Sequence, residues 1–160
     1  MIRNNITALF IHAFTGILFW FLSGVITDLM INWGIFHEYI TNGVFLLVSI
    51  IGLLCYHVLG KLFLATQLNN WKSLLSVSCV SIIGLLIWIY CAFFTDGGWA
   101  WLFYGIYNAT FYHLMSFVPS GSAWGIIWIS LLPSFILWLG MKKNKKRNNG
   151  SPRWKYKTTV

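Results

Sequence analysis

The chain has 160 residues, of which 58% are hydrophobic and only 9% are charged, and its mean hydropathy is +0.72. Soluble domains carry about 25% charged residues, so this composition excludes an ordinary soluble domain and predicts one small membrane domain. Lipid admits only helices or closed barrels, and the apolar run over residues 44–54 lacks the alternation of barrel strands. We therefore predict an all-α, polytopic membrane protein.

The net charge of +8 does not indicate nucleic-acid binding. Almost all of it comes from the C-terminal residues 142–157. We interpret residues 142–160 as a basic cytoplasmic tail that lies beside anionic lipid and holds the orientation of the chain. The residues expected to form this anchor are Lys142, Lys143, Lys145, Lys146 and Arg147.

Uncharged stretches set off by charged residues predict four transmembrane helices in a bundle over residues 1–141. A bilayer core of about 30 Å requires roughly 20 apolar residues in a helix, and each predicted span has about that length. In chain order the spans cover residues 6–27, 41–62, 73–94 and 122–141. Small residues recur within them, among them Gly16, Gly24 and Ser81, and favour close helix packing while leaving self-association open.

Charge predicts the orientation of these spans. With the N-terminus inside, Arg3, Lys61, Lys72 and the eight basic residues of the tail all face the cytoplasm. The three acidic residues, Asp28, Glu38 and Asp96, then all face outward. The positive-inside rule favours this arrangement, so we expect a multi-pass protein of the bacterial inner membrane with both termini cytoplasmic.

Residues 96–119, between the third and fourth spans, are apolar enough to form a fifth span. A fifth crossing would place the basic tail outside, so we predict an interfacial or re-entrant segment at the outer face instead. Tryptophan and tyrosine are the residues most enriched at binding hot spots. The candidate contacts for a partner protein are Trp99, Trp101, Tyr104, Tyr107 and Tyr112, and an aromatic belt that only anchors the protein is the alternative.

The ionisable residues favour a protein that is not an enzyme and has no metal site. No Asp, Glu, Lys or Arg lies deep within a predicted span, and the sequence lacks the motifs of nucleotide-binding, hydrolytic or zinc-dependent catalysis. His12 and His57 fall at similar predicted depths, and facing helices of b-type cytochromes bind haem through such pairs. An electron-transfer subunit is therefore an alternative, and histidines bonded to neighbouring polar groups are the simpler account.

In overall plan the chain resembles the small inner-membrane exclusion and immunity proteins of temperate phages and bacteriocin plasmids. The resemblance is carried by the four short-looped spans, the inner charges of Lys61, Lys72 and the tail, and the aromatic segment 96–119. It is greatest to the superinfection-exclusion proteins of tailed temperate phages. It implies a protein that uses no cofactor and acts by protein–protein contact at its outer face, on ejected phage proteins or a toxin. An accessory subunit of a transporter or secretion complex is a further alternative.

Overall fold

The computed structural model describes residues 1–35, 37–67, 69–96, 98–118 and 123–150, apart from the side chains of residues 116 and 143–150. Every regular element within these ranges is a helix, which confirms the all-α prediction. The α-helices are α1 (Ile2–Asn32), α2 (Glu38–Phe63), α3 (Asn70–Leu75), α4 (Ser78–Phe94), α5 (Trp99–Tyr107) and α6 (Ile127–Gly150). Two 3₁₀ helices, Ala109–Phe117 and Ala123–Ile126, lie between α5 and α6.

Three helical stretches are long and apolar enough to cross a membrane. They are α1, α2 and Ala123–Lys142, the last of which joins the second 3₁₀ helix to the first part of α6. The predicted spans at 6–27 and 41–62 lie within α1 and α2, and the predicted span at 122–141 coincides with the third stretch apart from residue 122, which lies outside the described residues. These helices suggest a membrane protein, as the composition predicts.

The third predicted span, residues 73–94, is not one continuous helix. It is divided into α3 and α4 at Ser76 and Val77, and α4 has only 17 residues. At a rise of 1.5 Å per residue α4 is about 26 Å long, slightly less than a bilayer core. Side chains of α1 stabilise the break: Asn5 Oδ1 accepts a hydrogen bond from the Cys79 amide, and Asn4 Nδ2 lies 3.1 Å from the Ser76 hydroxyl.

Asn4 also shows how the helices are oriented. Its amide donates to the Ala65 carbonyl at 2.7 Å, its oxygen accepts from the Ala65 amide at 3.3 Å, and Met141 Sδ lies 3.8 Å away. The start of α1, the end of α2, the start of α4 and the Met141 region of α6 therefore lie together. We call this the basic end, because it carries Arg3, Lys61, Lys72 and Lys142, and we call the opposite end, which carries Asp28, Glu38 and Asp96, the acidic end.

The helices α2 and α6 approach each other so closely that two glycines are required. A Cβ atom on Gly60 would lie 2.7 Å from the Leu137 carbonyl oxygen, and one on Gly140 would overlap the His57 carbonyl oxygen. Gly84 of α4 similarly lies against Ser130 of α6. Such small residues let helix backbones pack at short range where lipid supplies no hydrophobic force between them.

Candidate functional site between the first helix and residues 98–118

Residues 98–118, which we call the inserted segment, fold inward between the longer helices. At the acidic end Cys91 Sγ, in the last turn of α4, donates to the Ala100 carbonyl at 3.2 Å. One turn further along α5, the Tyr104 hydroxyl donates to the Ile126 carbonyl at 2.9 Å. Tyr107, the last residue of α5, reaches the first turn of α4, where its hydroxyl donates to the Val80 carbonyl at 2.7 Å. The segment thus extends from the acidic end well towards the basic end.

The segment turns at Asn108 and returns to the acidic end as the first 3₁₀ helix. Phe111 is fully buried, and its ring centre lies 5.3 Å from that of Tyr56 on α2. His113 stacks on Phe45, near the start of α2, with 3.7 Å between the ring centres. The part of the segment after Asn108 therefore lies against α2. Asn108 and Phe111 are completely buried within the protein.

Buried polar side chains hold α1 to α2 at the tip of this segment. His12 Nδ1 lies 2.6 Å from the Tyr56 hydroxyl, and both side chains are buried. The His12 ring also packs on Tyr107, with 4.5 Å between ring centres. His12 is thus bonded to a neighbouring polar group, as expected from the simpler interpretation of the histidines, in which they do not bind haem.

His12 and His57 do not form the pair that a haem iron would need. His57 follows Tyr56 directly in α2, and successive residues of an α-helix point about 100° apart. Since Tyr56 faces His12, His57 points elsewhere, and its carbonyl lies against Gly140 of α6. The side chains of this region do not fit a haem held between these two residues.

The five aromatic residues predicted to contact a partner separate into two sets. Trp99 and Tyr112 are 80% and 52% exposed. Tyr104 is fully buried and the Tyr107 hydroxyl is bonded within the fold, so these two hold the inserted segment in place and are not available to a partner. Trp101 is half-buried, with its ring centre 5.7 Å from that of Tyr104.

Other exposed aromatic residues at the acidic end were not predicted as contacts. Together with Trp99 they form what we call the aromatic rim: Trp33, Tyr39, Trp99 and Trp124 are 71%, 89%, 80% and 66% exposed. All of them lie at or near the end of a helix. Tryptophan and tyrosine favour the headgroup zone of a membrane. Their positions near the ends of the apolar stretches are therefore the feature of the sequence from which these residues could have been predicted.

The predicted cytoplasmic anchor begins on a helix. Helix α6 continues past residue 141 to Gly150, so the chain remains helical beyond the predicted boundary between the membrane domain and the tail. The Lys142 ammonium lies 5.1 Å from the centre of the Trp138 ring. The side chains of Lys143, Lys145, Lys146 and Arg147, and the whole of residues 151–160, lie outside the described residues.

A groove runs between α1 and the inserted segment. It consists of two adjoining cavities of about 320 and 340 Å³, which share Trp20, Ile106 and Ala109. Its deeper part is lined by His12 and Gly16, and its outer part by Ser23, Gly24 and His113. These volumes are within the usual range of ligand pockets, and the lining is mostly apolar. This groove could not be predicted from the sequence, because it forms only when the inserted segment meets α1.

The described residues contain no group of three or more His, Cys, Asp or Glu side chains that is placed to hold a metal ion. The buried polar groups named above instead bond helices to one another. No family model, curated protein or solved structure matches this chain.

Proposed function

We propose that this chain is a non-enzymatic inner-membrane protein that excludes superinfecting phages. In this account it contacts a protein that a related phage delivers into the membrane, and thereby stops phage DNA from entering the cytoplasm. The observation that carries the proposal is the aromatic rim, which concentrates large exposed side chains at the acidic end. Tryptophan and tyrosine supply much of the binding energy at protein interfaces, so a partner that arrives at this end meets a favourable surface.

The proposed topology has four crossings, made by α1, α2, α4 and the helical stretch that includes α6. The inserted segment supports this number because it begins and ends near the same end of the molecule and adds no crossing. An even number places both termini on one side. The positive-inside rule then assigns the basic end to the cytoplasm and the acidic end to the periplasm, and local thinning of the bilayer accommodates the shorter α4.

An incoming phage must build a conduit through the inner membrane from its own proteins. The aromatic rim lies at the face that those proteins reach first, and a contact there hinders completion of the conduit. The basic tail keeps the orientation and binds lipid, without reading DNA. A bacteriocin that inserts from the same side would meet the same surface, so immunity to a toxin is the related form of this function.

We expect that a sensitive host that makes this protein adsorbs phage normally but takes up much less DNA from phages of one related group. Adsorption, potassium efflux and DNA uptake are measured in the same cells. Replacing both Tyr39 and Trp99 with alanine is expected to weaken exclusion by about tenfold or more, as the loss of hot-spot contacts implies. Trp71→Ala is the matched control, because Trp71 is 71% exposed but lies at the basic end.

Normal DNA entry for every phage, together with normal killing by every bacteriocin tried, would contradict the proposal. Protection against a bacteriocin but against no phage would show that the protein confers immunity to a toxin. Co-purification of a stoichiometric resident partner from uninfected cells would instead favour the accessory subunit of a larger complex.

A further inference from the structure

The groove beside α1 extends over the outer half of this helix. A third, shallower depression continues it along α1 from Ile17 past Gly24 to Asp28. Gly16 and Asp28 are 12 residues apart, which corresponds to about 18 Å along the helix axis, or roughly three turns. The depression is therefore long enough to receive a second helix alongside α1.

Two glycines of α1 leave room in this groove for another backbone. A Cβ atom on Gly16 or Gly24 would meet no atom within 4 Å, whereas one on Gly52 or Gly60 would collide with Thr110 or Leu137. The latter glycines are needed for packing within the chain. In membranes, small residues allow the close approach of a neighbouring helix, and Gly24 is exposed for such an approach, whereas Gly16 is buried at the floor of the groove.

Polar groups line the groove at two depths. His12 lines the deeper cavity, where its ring is enclosed between the Tyr56 hydroxyl, 2.6 Å from Nδ1, and the main chain of Tyr107. Near the outer mouth, the Ser23 hydroxyl lies 3.1 Å from His113 Nε2. A polar side chain on a neighbouring helix can add a bond to the half-buried Ser23 hydroxyl across the interface.

Charge distinguishes between the possible occupants. Asp28 lies at the outer mouth of the groove, and Glu38 and Asp96 share its end of the molecule. A second copy packed in parallel would bring these carboxylates together, which disfavours a dimer through this face. A resident inner-membrane helix keeps its basic residues inside and offers few at the outer end. A helix that inserts from the periplasm is not sorted in this way and can carry Lys or Arg beside Asp28.

We propose that the groove from His12 to Asp28 receives one membrane-inserted helix of the incoming protein, and that Asp28 pairs with a basic residue at the outer flank of that helix. This inference rests on the proposed function and adds a contact within the membrane to the one at the aromatic rim. A leucine at Gly24 fills the groove, while the open space around this position leaves the fold intact.

The test compares phage plating on hosts that make the wild-type protein, Gly24→Leu or Gly43→Leu. Gly43 is the matched control because a Cβ there also meets no atom, but it lies at the start of α2, outside the groove. We expect Gly24→Leu to lose exclusion by about tenfold or more and Gly43→Leu to retain it, at equal protein levels on immunoblots. If the wild type and Gly24→Leu exclude equally well, the groove is not the contact and the proposed function still stands.

A charge reversal gives an independent readout. Asp28→Lys is expected to lose exclusion by a similar factor, because it would repel the basic flank of the occupant, whereas Glu38→Lys is expected to retain it. If Gly24→Leu accumulates poorly, the comparison of Asp28→Lys with Glu38→Lys tests the groove instead, because both carboxylates lie outside the core. Equal exclusion by these two variants would contradict the proposal that the groove binds the incoming helix. If the wild-type protein excludes no phage, both the proposed contact in the groove and the proposed function are wrong.

Discussion

Replacing Gly140 with alanine is expected to lower the free energy of unfolding by about 3 kcal/mol, since a methyl group there has no space. The added Cβ would overlap the His57 carbonyl oxygen and would also lie 3.0 Å from the Lys61 amide nitrogen. Both atoms belong to the α2 backbone and cannot rotate away. The two helices must therefore separate, and the close packing that joins α2 to α6 is lost along with the Gly60 contact on Leu137.

The measurement is thermal or denaturant unfolding of the purified protein in detergent, followed by circular dichroism. Gly43→Ala is the matched control and is expected to change stability by less than about 0.5 kcal/mol, because an added methyl group there meets no other atom. Equal stability of the two variants would show that α2 and α6 do not cross at these glycines.

Phe111→Ala is expected to destabilise the protein by about 2 kcal/mol and to loosen the inserted segment. The Phe111 side chain is fully buried and packs on Tyr56. Removal of a buried phenylalanine costs about 3–5 kcal/mol in soluble cores. A smaller value is expected here because lipid is as apolar as the protein interior, so the loss comes from packing contacts and the cavity, with little contribution from transfer out of water.

Phe103→Ala provides the comparison within the same segment. Phe103 lies on α5 and is 67% exposed, so the same substitution removes few contacts. We expect Phe103→Ala to unfold almost as the wild type does, and Phe111→Ala to expose residues of the segment to a membrane-impermeant thiol reagent at introduced cysteines. If the two variants behaved alike, the segment would lie on the surface as an interfacial helix.

The long apolar helices could be predicted from the sequence because the thickness of a bilayer fixes the length of an apolar stretch. The spans predicted at 6–27 and 41–62 lie inside α1 and α2 for this reason. The small residue Ser81, predicted to favour close helix packing, lies where α4 contacts α6. The Ser81 amide donates a hydrogen bond to Ser134 Oγ on α6 at 3.2 Å, and Gly84, one turn further along α4, lies against Ser130.

The division of the third predicted span could not be predicted in the same way. Residues 73–94 carry no charge, and no proline or glycine marks the break at Ser76 and Val77. The break depends on Asn4 and Asn5, which are more than 70 residues away in the sequence and contact Ser76 and Cys79 only in the folded chain. A local pattern carries no information about such partners.

The candidate site was predicted only in part. The charge pattern favoured a segment that does not add a crossing, and this stays a prediction; the structure shows that the segment turns at Asn108 and that its later part lies against α2. The sequence could not tell which of its aromatic residues face inward, because Trp99 and Tyr104 differ only in what the neighbouring helices place beside them. Gly16 and Gly24 were predicted to favour close helix packing, and both line the groove. The glycines that the contact between α2 and α6 requires, Gly60 and Gly140, were not singled out.

An alkaline phosphatase fused after Val160 tests the four-crossing topology most directly. This enzyme is active only where it can form its disulfides, in the oxidising compartment outside the inner membrane. We expect the fusion to be made at normal levels but to be inactive, because four crossings leave the C-terminus in the cytoplasm. An active fusion would place Val160 outside the inner membrane, through either an inverted orientation or an odd number of crossings, and would contradict the proposed topology and contact surface.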